Sequence, residues 1–167
     1  MRVFTNYQKF LKEIDEVQKL DYKPSLLLHV CCAPCSCYPL IILKDYFDIT
    51  IYYYNPNIYP ESEFDRRLNT QKELISKLPY KVGLIVDINK NYDCNIKIIK
   101  TNYENERFNK ILGVRKDDKE GSTRCFMCYS LRYKDLVEFA SKNNYEYVCS
   151  VMTISRQKDE TMINKIL

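Results

Sequence analysis

The sequence predicts an α/β protein, a single domain with a parallel sheet and helices on both of its faces. Short apolar runs alternate along the chain with longer segments whose apolar residues recur every three or four positions, the spacing of an amphipathic helix. There is little sign of the short turns that join antiparallel strands into hairpins. Strands connected through helices lie parallel and are covered on both faces. We therefore expect one domain over residues 1–167.

The first half of the chain supplies two predicted strands. A helix over residues 6–20 precedes a strand over Leu26–Val30, whose uninterrupted apolar run is typical of a buried parallel strand. A helix that begins near Leu40 leads to a second strand over Ile49–Tyr54, which is rich in β-branched and aromatic residues. Pro and Asn residues then mark residues 55–60 as a loop.

The second half continues the alternation of strands and helices. Its predicted helices are Glu61–Leu78, residues 104–112, the segment that follows Cys128 and the end of the chain, and its predicted strands are Val82–Val86, Ile96–Ile99 and Tyr145–Val151. Parallel sheets bind their ligands at the carboxyl ends of the strands. Both Cys31 and Asn55 follow such an end, so we expect a functional site at this edge of the sheet.

Composition limits the class of protein. Hydrophobic residues make up 46% of the chain and charged residues 29%, which is typical of a folded globular protein and argues against a disordered one. The net charge of +4 permits a nucleic-acid partner without demanding one. Residues 1–20 lack the apolar core of a signal peptide, and no stretch approaches the roughly 20 apolar residues of a membrane span. We therefore expect a cytoplasmic protein with no membrane partner.

The cysteines carry the strongest chemical signal. The chain has eight of them, and in a reducing compartment clustered cysteines are more often metal ligands or catalytic thiols than disulfides. Cys31-Cys32 ends a predicted strand, and Cys125-x-x-Cys128 lies at the predicted start of a helix, where free N–H groups and the helix dipole stabilise thiolates. Further thiols follow the first pair at Cys35 and Cys37.

Four sulfurs from two distant segments suit one site that is closed by the fold. They would satisfy either a [4Fe–4S] cluster or a tetrahedral zinc ion. Zinc knots usually close with two short-spaced pairs on small loops, whereas here a vicinal pair ends a buried strand. The spacing therefore favours iron–sulfur over zinc, and free redox thiols come third. All three remain open on the residues alone.

Cys35 is the thiol that we expect to take part in chemistry. It follows Cys32 by three residues, behind Ala33-Pro34, where the proline restricts the backbone as it leaves the strand. A thiol in this position can reach the same pocket without being needed as a fourth cluster ligand. The alternative is that Cys35 only begins the next helix. His29, the single histidine, is expected to be a hydrogen-bonded core residue and not a ligand.

Other residues near the strand ends are candidate substrate-binding residues. They are Asn55, Asn57 and Tyr59 in the Pro-rich loop and Arg67 on the helix that follows. An arginine here could meet a phosphate, although a solvated helix face explains it as well. The sequence has neither a Gly-rich phosphate loop nor a Rossmann fingerprint, which disfavours nucleotide-driven ligases and nicotinamide enzymes.

Over residues 25–167 the sequence resembles the QueH epoxyqueuosine reductases. The matching stretches are Leu26–Ser36 with both vicinal cysteines, Tyr53–Pro60 with Glu63, Arg67 and Leu68 after it, Gly121–Arg132 around the second cysteine pair, and Thr153–Ser155. The resemblance implies a fold like that of the adenine-nucleotide hydrolase superfamily, often called HUP-like.

The resemblance also implies cofactors and a reaction. It implies a [4Fe–4S] cluster held by Cys31, Cys32, Cys125 and Cys128, beside a second, mononuclear iron to which Cys35 contributes. The implied reaction reduces epoxyqueuosine to queuosine at the wobble position of tRNA, without cobalamin, with electrons from an unidentified donor. The alternative from another class is a non-catalytic, zinc-stabilised module that binds tRNA or another RNA.

Two features depart from the family pattern. Family members continue to a C-terminal Cys-Gly-Cys that behaves as a redox-active disulfide, and this motif is absent from the sequence. The segment Arg115–Lys119 also replaces the acidic, Gly-containing stretch expected before Arg124. Either the sequence is truncated or this protein lacks that thiol relay, so the first departure leaves the electron route of this chain open.

Overall fold

The computed structural model of the chain describes residues 6–78, 96–155 and 158–167. These residues form an α/β fold around a sheet of four strands, all parallel, in the order β3-β2-β1-β4. The strands are β1 (Ser25–His29), β2 (Asp48–Tyr53), β3 (Lys97–Lys100) and β4 (Tyr147–Ser150). The predicted fold class is confirmed.

Six α-helices surround this sheet in the described part of the chain. They are α1 (Asn6–Val17), α2 (Ala33–Leu43), α3 (Glu61–Ser76), α4 (Asn105–Leu112), α5 (Thr123–Lys142) and α6 (Glu160–Ile166). Short 3₁₀ turns follow α4 and β4. Among these described helices, none combines the length and the apolar character that crossing a bilayer requires.

The order of the strands locates a switch point in the sheet. From β1 the chain steps to β2 and then to β3 on one side, whereas β4 pairs with the other edge of β1. Because β–α–β crossovers are right-handed, α2 and α3 cover one face of the sheet and α5 covers the other. The order in which strands are added to the sheet therefore reverses between β1 and β4. Sheets of this kind bind ligands at the carboxyl ends of the two strands where this reversal occurs.

Burial explains which strands lie in the middle. Leu26, Leu27 and Leu28 of β1 are at most 2% exposed, as the continuous apolar run predicts for a strand covered on both faces. The edge strand β3 instead begins with Lys97 and ends with Lys100, both exposed, and charged residues of this kind protect a sheet edge from further pairing.

Three sequence predictions need comment. Helix α2 begins at Ala33 and not near Leu40, because Pro34 is tolerated in the first turn of a helix, where no intrahelical N–H bond is needed. Helix α1 ends at Val17, three residues before the predicted end. The predicted strand Val82–Val86 lies outside the described residues.

Candidate metal centre

Three thiols converge where β1 ends and α2 begins. The Sγ atoms of Cys31, Cys32 and Cys35 all lie within 4.8 Å of one another, and we call these residues the three-thiol group. Cys32 Sγ lies 3.0 Å from Cys35 Sγ and 3.8 Å from Cys31 Sγ. Cys32 is the extended N-cap residue of α2, so the chain turns there and brings the first helical turn back over the vicinal pair.

Cys125 and Cys128 lie in the first two turns of α5. This helix leads into β4, which is parallel to β1, so its N-terminus lies at the same edge of the sheet as the three-thiol group. Both cysteines are partly buried against the core cluster that contains Cys31. Within the described residues, neither belongs to the set of thiols whose members are all within 4.8 Å of one another.

Gly121, just before α5, donates a backbone hydrogen bond to the sulfur of Cys125. Its φ of +82° lies in the left-handed region, which L-residues with a side chain rarely adopt. This turn directs the Gly121 N–H towards Cys125 Sγ, with an N–S distance of 3.3 Å. The donor stabilises negative charge on the sulfur and adds to the positive end of the helix dipole.

The vicinal thiols differ in acidity. Cys31 Sγ donates to Cys32 Sγ, and this hydrogen bond, followed by burial, raises the pKa of Cys31 above its usual value. The same bond lowers the pKa of Cys32. Arg132 and Lys158 act in the opposite direction on the pKa of Cys31, because nearby positive charge favours its thiolate. In the metal-free chain Cys32 is therefore the more readily ionised thiol of this pair.

Arg132 connects the two cysteine segments. It lies one helical turn after Cys128 on the same face of α5, and its side chain is only 1% exposed. Its Nη2 donates to Asn55 Oδ1 at 2.6 Å, and Asn55 Nδ2 donates to the carbonyl oxygen of Val30 at 2.8 Å. Val30 directly precedes Cys31. The guanidinium is thus fixed between the second cysteine pair and the backbone that carries the first.

Among the described residues, the buried Arg132 side chain has no carboxylate partner. In residues 6–78, 96–155 and 158–167, no carboxylate oxygen lies within 4.0 Å of its nitrogens, and its Nε has no hydrogen-bond acceptor. An unpaired buried charge costs on the order of several kcal/mol. The sequence analysis gave this residue no role, although Arg132 ends the stretch around the second cysteine pair that resembles the family.

His29 is a core residue, as predicted. It is fully buried, with Nδ1 3.0 Å from Ser150 Oγ and Nε2 3.1 Å from both the Tyr54 carbonyl oxygen and Arg132 Nη2. Burial, and next the charge of Arg132, place the pKa of His29 well below its usual value. The imidazole is therefore neutral, and it brings no negative charge to Arg132.

The candidate substrate-binding residues differ in accessibility. Asn55 is fully buried, and both ends of its amide have protein partners. Asn57 is exposed and Tyr59 is 77% exposed. Arg67 is partly exposed, and its Nε lies 2.7 Å from Glu63 Oε1. Hydrogen bonds from Arg66 and then Arg67 lower the pKa of Glu63 to about 2.

The residues at this edge fit a metal–thiolate group. All the candidate ligands are soft sulfur donors, which suit iron–sulfur clusters or zinc and not magnesium or calcium. Two helix N-termini, the Gly121 N–H and the buried Arg132 guanidinium supply positive potential where such a group would carry negative charge. The three-thiol group by itself could hold a metal ion.

Comparisons with known proteins point to one family. A family model described as epoxyqueuosine reductase QueH matches residues 26–167. Curated relatives named epoxyqueuosine reductase QueH include those of Staphylococcus aureus and Staphylococcus epidermidis, each 35% identical over 164 residues and 96% of this chain. The relative from Streptococcus pyogenes is 32% identical over 163 residues. The chain spans 64%, 65% and 60% of the length of these three relatives, respectively.

Proposed function

Because this chain belongs to the epoxyqueuosine reductase QueH family, we propose that it is an oxidoreductase that reduces epoxyqueuosine to queuosine at the wobble position of tRNA. The net reaction consumes two electrons and two protons. It breaks both C–O bonds of the epoxide, forms a C=C bond and releases the oxygen as water. The observation that supports this proposal best is the convergence of Cys31, Cys32 and Cys35 at the switch point of the sheet, within the residues that the family model matches.

We infer that Cys31, Cys32, Cys125 and Cys128 hold a [4Fe–4S] cluster. Such a cluster would supply single electrons without cobalamin. The protein's contribution is to keep the four sulfurs as thiolates. The N-termini of α2 and α5 and the Gly121 N–H favour the charged form of these sulfurs, and the core around Cys31, which is 8% exposed, excludes water.

Cys35 has the position of a reactive thiol. Its Sγ is 3.0 Å from Cys32 Sγ, yet the residue is partly exposed, whereas Cys31 is buried. A substrate that approaches from solvent could therefore meet Cys35 before Cys31. We propose that Cys35 supplies a sulfur ligand to a second, mononuclear iron, which would act as a Lewis acid on the epoxide oxygen.

Substrate contact is proposed for Asn57, Tyr59 and Arg67. The exposed ring of Tyr59 could stack on a base, and Arg67 could bind a phosphate once its contact with Glu63 is exchanged. Asn55 is omitted because its buried amide is already occupied. The proposed partners are tRNA that carries epoxyqueuosine and an unidentified electron donor, and the proposed location is the cytoplasm.

Turnover tests this proposal, since an RNA-binding module would also bind tRNA. The anaerobically reconstituted, reduced chain is incubated with epoxyqueuosine-containing tRNA, and the nucleosides are analysed by mass. We expect a product that has lost one oxygen atom, and no product from a Cys32→Ser variant. Iron-loaded chain that binds the tRNA but leaves epoxyqueuosine unchanged would contradict the proposal.

A further inference from the structure

Two buried side-chain nitrogens have no hydrogen-bond partner in the described part of the chain, Gln71 Nε2 and Arg132 Nε. Gln71 has a local solution, because its Oε1 lies 2.8 Å from Ser36 Oγ and a half-turn of the amide would place the NH₂ group there. Arg132 has no equivalent solution, since a guanidinium has only donors and carries its charge in every orientation.

Within the described residues, the side chains that contact Arg132 are neutral. Its Nη2 contacts Asn55 Oδ1 at 2.6 Å and His29 Nε2 at 3.1 Å, both neutral groups. The charge of Arg132 does act on the Cys31 sulfur, where it favours the thiolate. Cys128 lies one turn before Arg132 on the same face of α5, and Asn55 links Arg132 to the residue before Cys31. A charge placed in this way is costly unless the cysteines carry a compensating charge.

We propose that Arg132 is the internal counter-charge of the metal–thiolate group and that it raises the reduction potential of that group, an inference that rests on the proposed cofactor. A centre held by four thiolates is an anion whether its core is an oxidised cluster or a zinc ion. Reduction adds a further negative charge. A fixed cation in a low-dielectric interior stabilises the reduced state more than the oxidised one.

Redox titration of the anaerobically reconstituted chain tests this role of Arg132. Arg132→Gln keeps a donor for Asn55 but removes the charge, and Arg132→Lys keeps the charge. We expect Arg132→Gln to lower the equilibrium constant for reduction at least tenfold, a shift of about 59 mV to more negative potential for a one-electron couple. Arg132→Lys should stay closer to wild type. A potential unchanged in Arg132→Gln would overturn the proposal.

Thermal unfolding supplies a readout that does not depend on redox activity or on which metal is bound. The rise in melting temperature between the metal-free and the metal-loaded chain is compared for wild type and Arg132→Gln. A counter-charge predicts a smaller rise in the variant, because the metal-free variant no longer carries an unpaired charge. An equal rise in both proteins would mean that Arg132 only holds Asn55 and His29 in place, and would refute the proposal.

Asn55→Asp tests the same idea without removing Arg132. It places a carboxylate at the position that lies 2.6 Å from the guanidinium, so Arg132 gains a partner within the protein. We expect this variant also to shift the potential to more negative values and to gain less stability on metal loading. If the wild-type chain binds zinc in place of iron, the proposed function is contradicted. The role of Arg132 is then decided by the comparison of melting temperatures, which does not depend on the metal.

Discussion

Arg132 Nη2 donates a 2.6 Å hydrogen bond to Asn55 Oδ1, and this contact joins helix α5 to the loop after β2. Asn55 in turn donates to the carbonyl oxygen of Val30, so a single buried amide connects the segments that carry the two cysteine pairs. The geometry of the proposed metal site therefore depends on a residue that holds no metal.

Asn55→Ala is expected to destabilise the protein by about 3 kcal/mol, because it leaves a buried guanidinium N–H and a buried carbonyl without partners. Urea unfolding of the metal-free chain measures this loss. Asn57→Ala is the matched control in the same loop, and since Asn57 is exposed we expect a change within about 0.5 kcal/mol. Equal losses in the two variants would show that Asn55 is not a structural link.

Gly121→Ala is expected to destabilise by about 1 kcal/mol through backbone strain alone. The glycine has a φ of +82°, and no heavy atom lies within 4 Å of an added Cβ, so crowding adds nothing. A distorted turn would also weaken the N–H contact to Cys125 Sγ and reduce iron retention during gel filtration. Gly113, which is equally uncrowded and has a φ of −59°, provides the control. Gly113→Ala should leave stability unchanged or slightly increased, and a loss as large as that of Gly121→Ala would argue against strain.

Cys35→Ala tests whether Cys35 is a reactive thiol or only a residue in the first turn of helix α2. If Cys35 binds the second iron, the variant keeps the visible absorption of the cluster but loses the additional iron and epoxide reduction. Cys37→Ala, two residues further along α2, should keep both. Full activity of Cys35→Ala with an intact cluster would remove Cys35 from the mechanism.

Glu63→Gln tests whether Glu63 holds both arginines of α3. The pKa of Glu63 is lowered to about 2 in the folded chain, so its stabilising effect is complete above the ordinary glutamate pKa of about 4.5. The effect is lost as the pH falls from about 4.5 to about 2. The variant should therefore be less stable than wild type at pH 7 and nearly equal to it at pH 2, as measured by chemical denaturation. Glu73→Gln should show a smaller difference, because among the described residues Glu73 has one cationic partner, Lys77. A difference between Glu63→Gln and wild type that does not change with pH would exclude an ion-pair origin.

Much of the fold was predictable because the strands carry strong local signals. The apolar run of β1 and the aromatic run of β2 identified the central strands, and the alternation of elements indicated parallel pairing. The start of α2 was predicted too late because prolines disfavour the interior of a helix. The observed helix contains both Pro34, in its first turn, and Pro39. Strand order was not predictable, since it depends on contacts between distant segments.

The candidate site was predictable only in part. The cysteine pairs were visible as motifs, and their position at one edge followed from parallel topology. The link from Arg132 through Asn55 to Val30 was not, because each member is remote in sequence from the next and a motif does not show which of its residues contact one another. Burial also changed the interpretation of Asn55, which the loop composition had marked as a candidate substrate-binding residue.

The central claim is that the two cysteine pairs hold one iron–sulfur cluster, and metal analysis of anaerobically purified protein tests it most directly. Iron, acid-labile sulfide and zinc are quantified in wild type, in Cys125→Ser and in Cys149→Ser, which alters an exposed cysteine of β4. We predict nearly equal amounts of iron and sulfide in wild type and in Cys149→Ser, and the loss of both in Cys125→Ser. Stoichiometric zinc without acid-labile sulfide, in protein never exposed to air, would contradict the account.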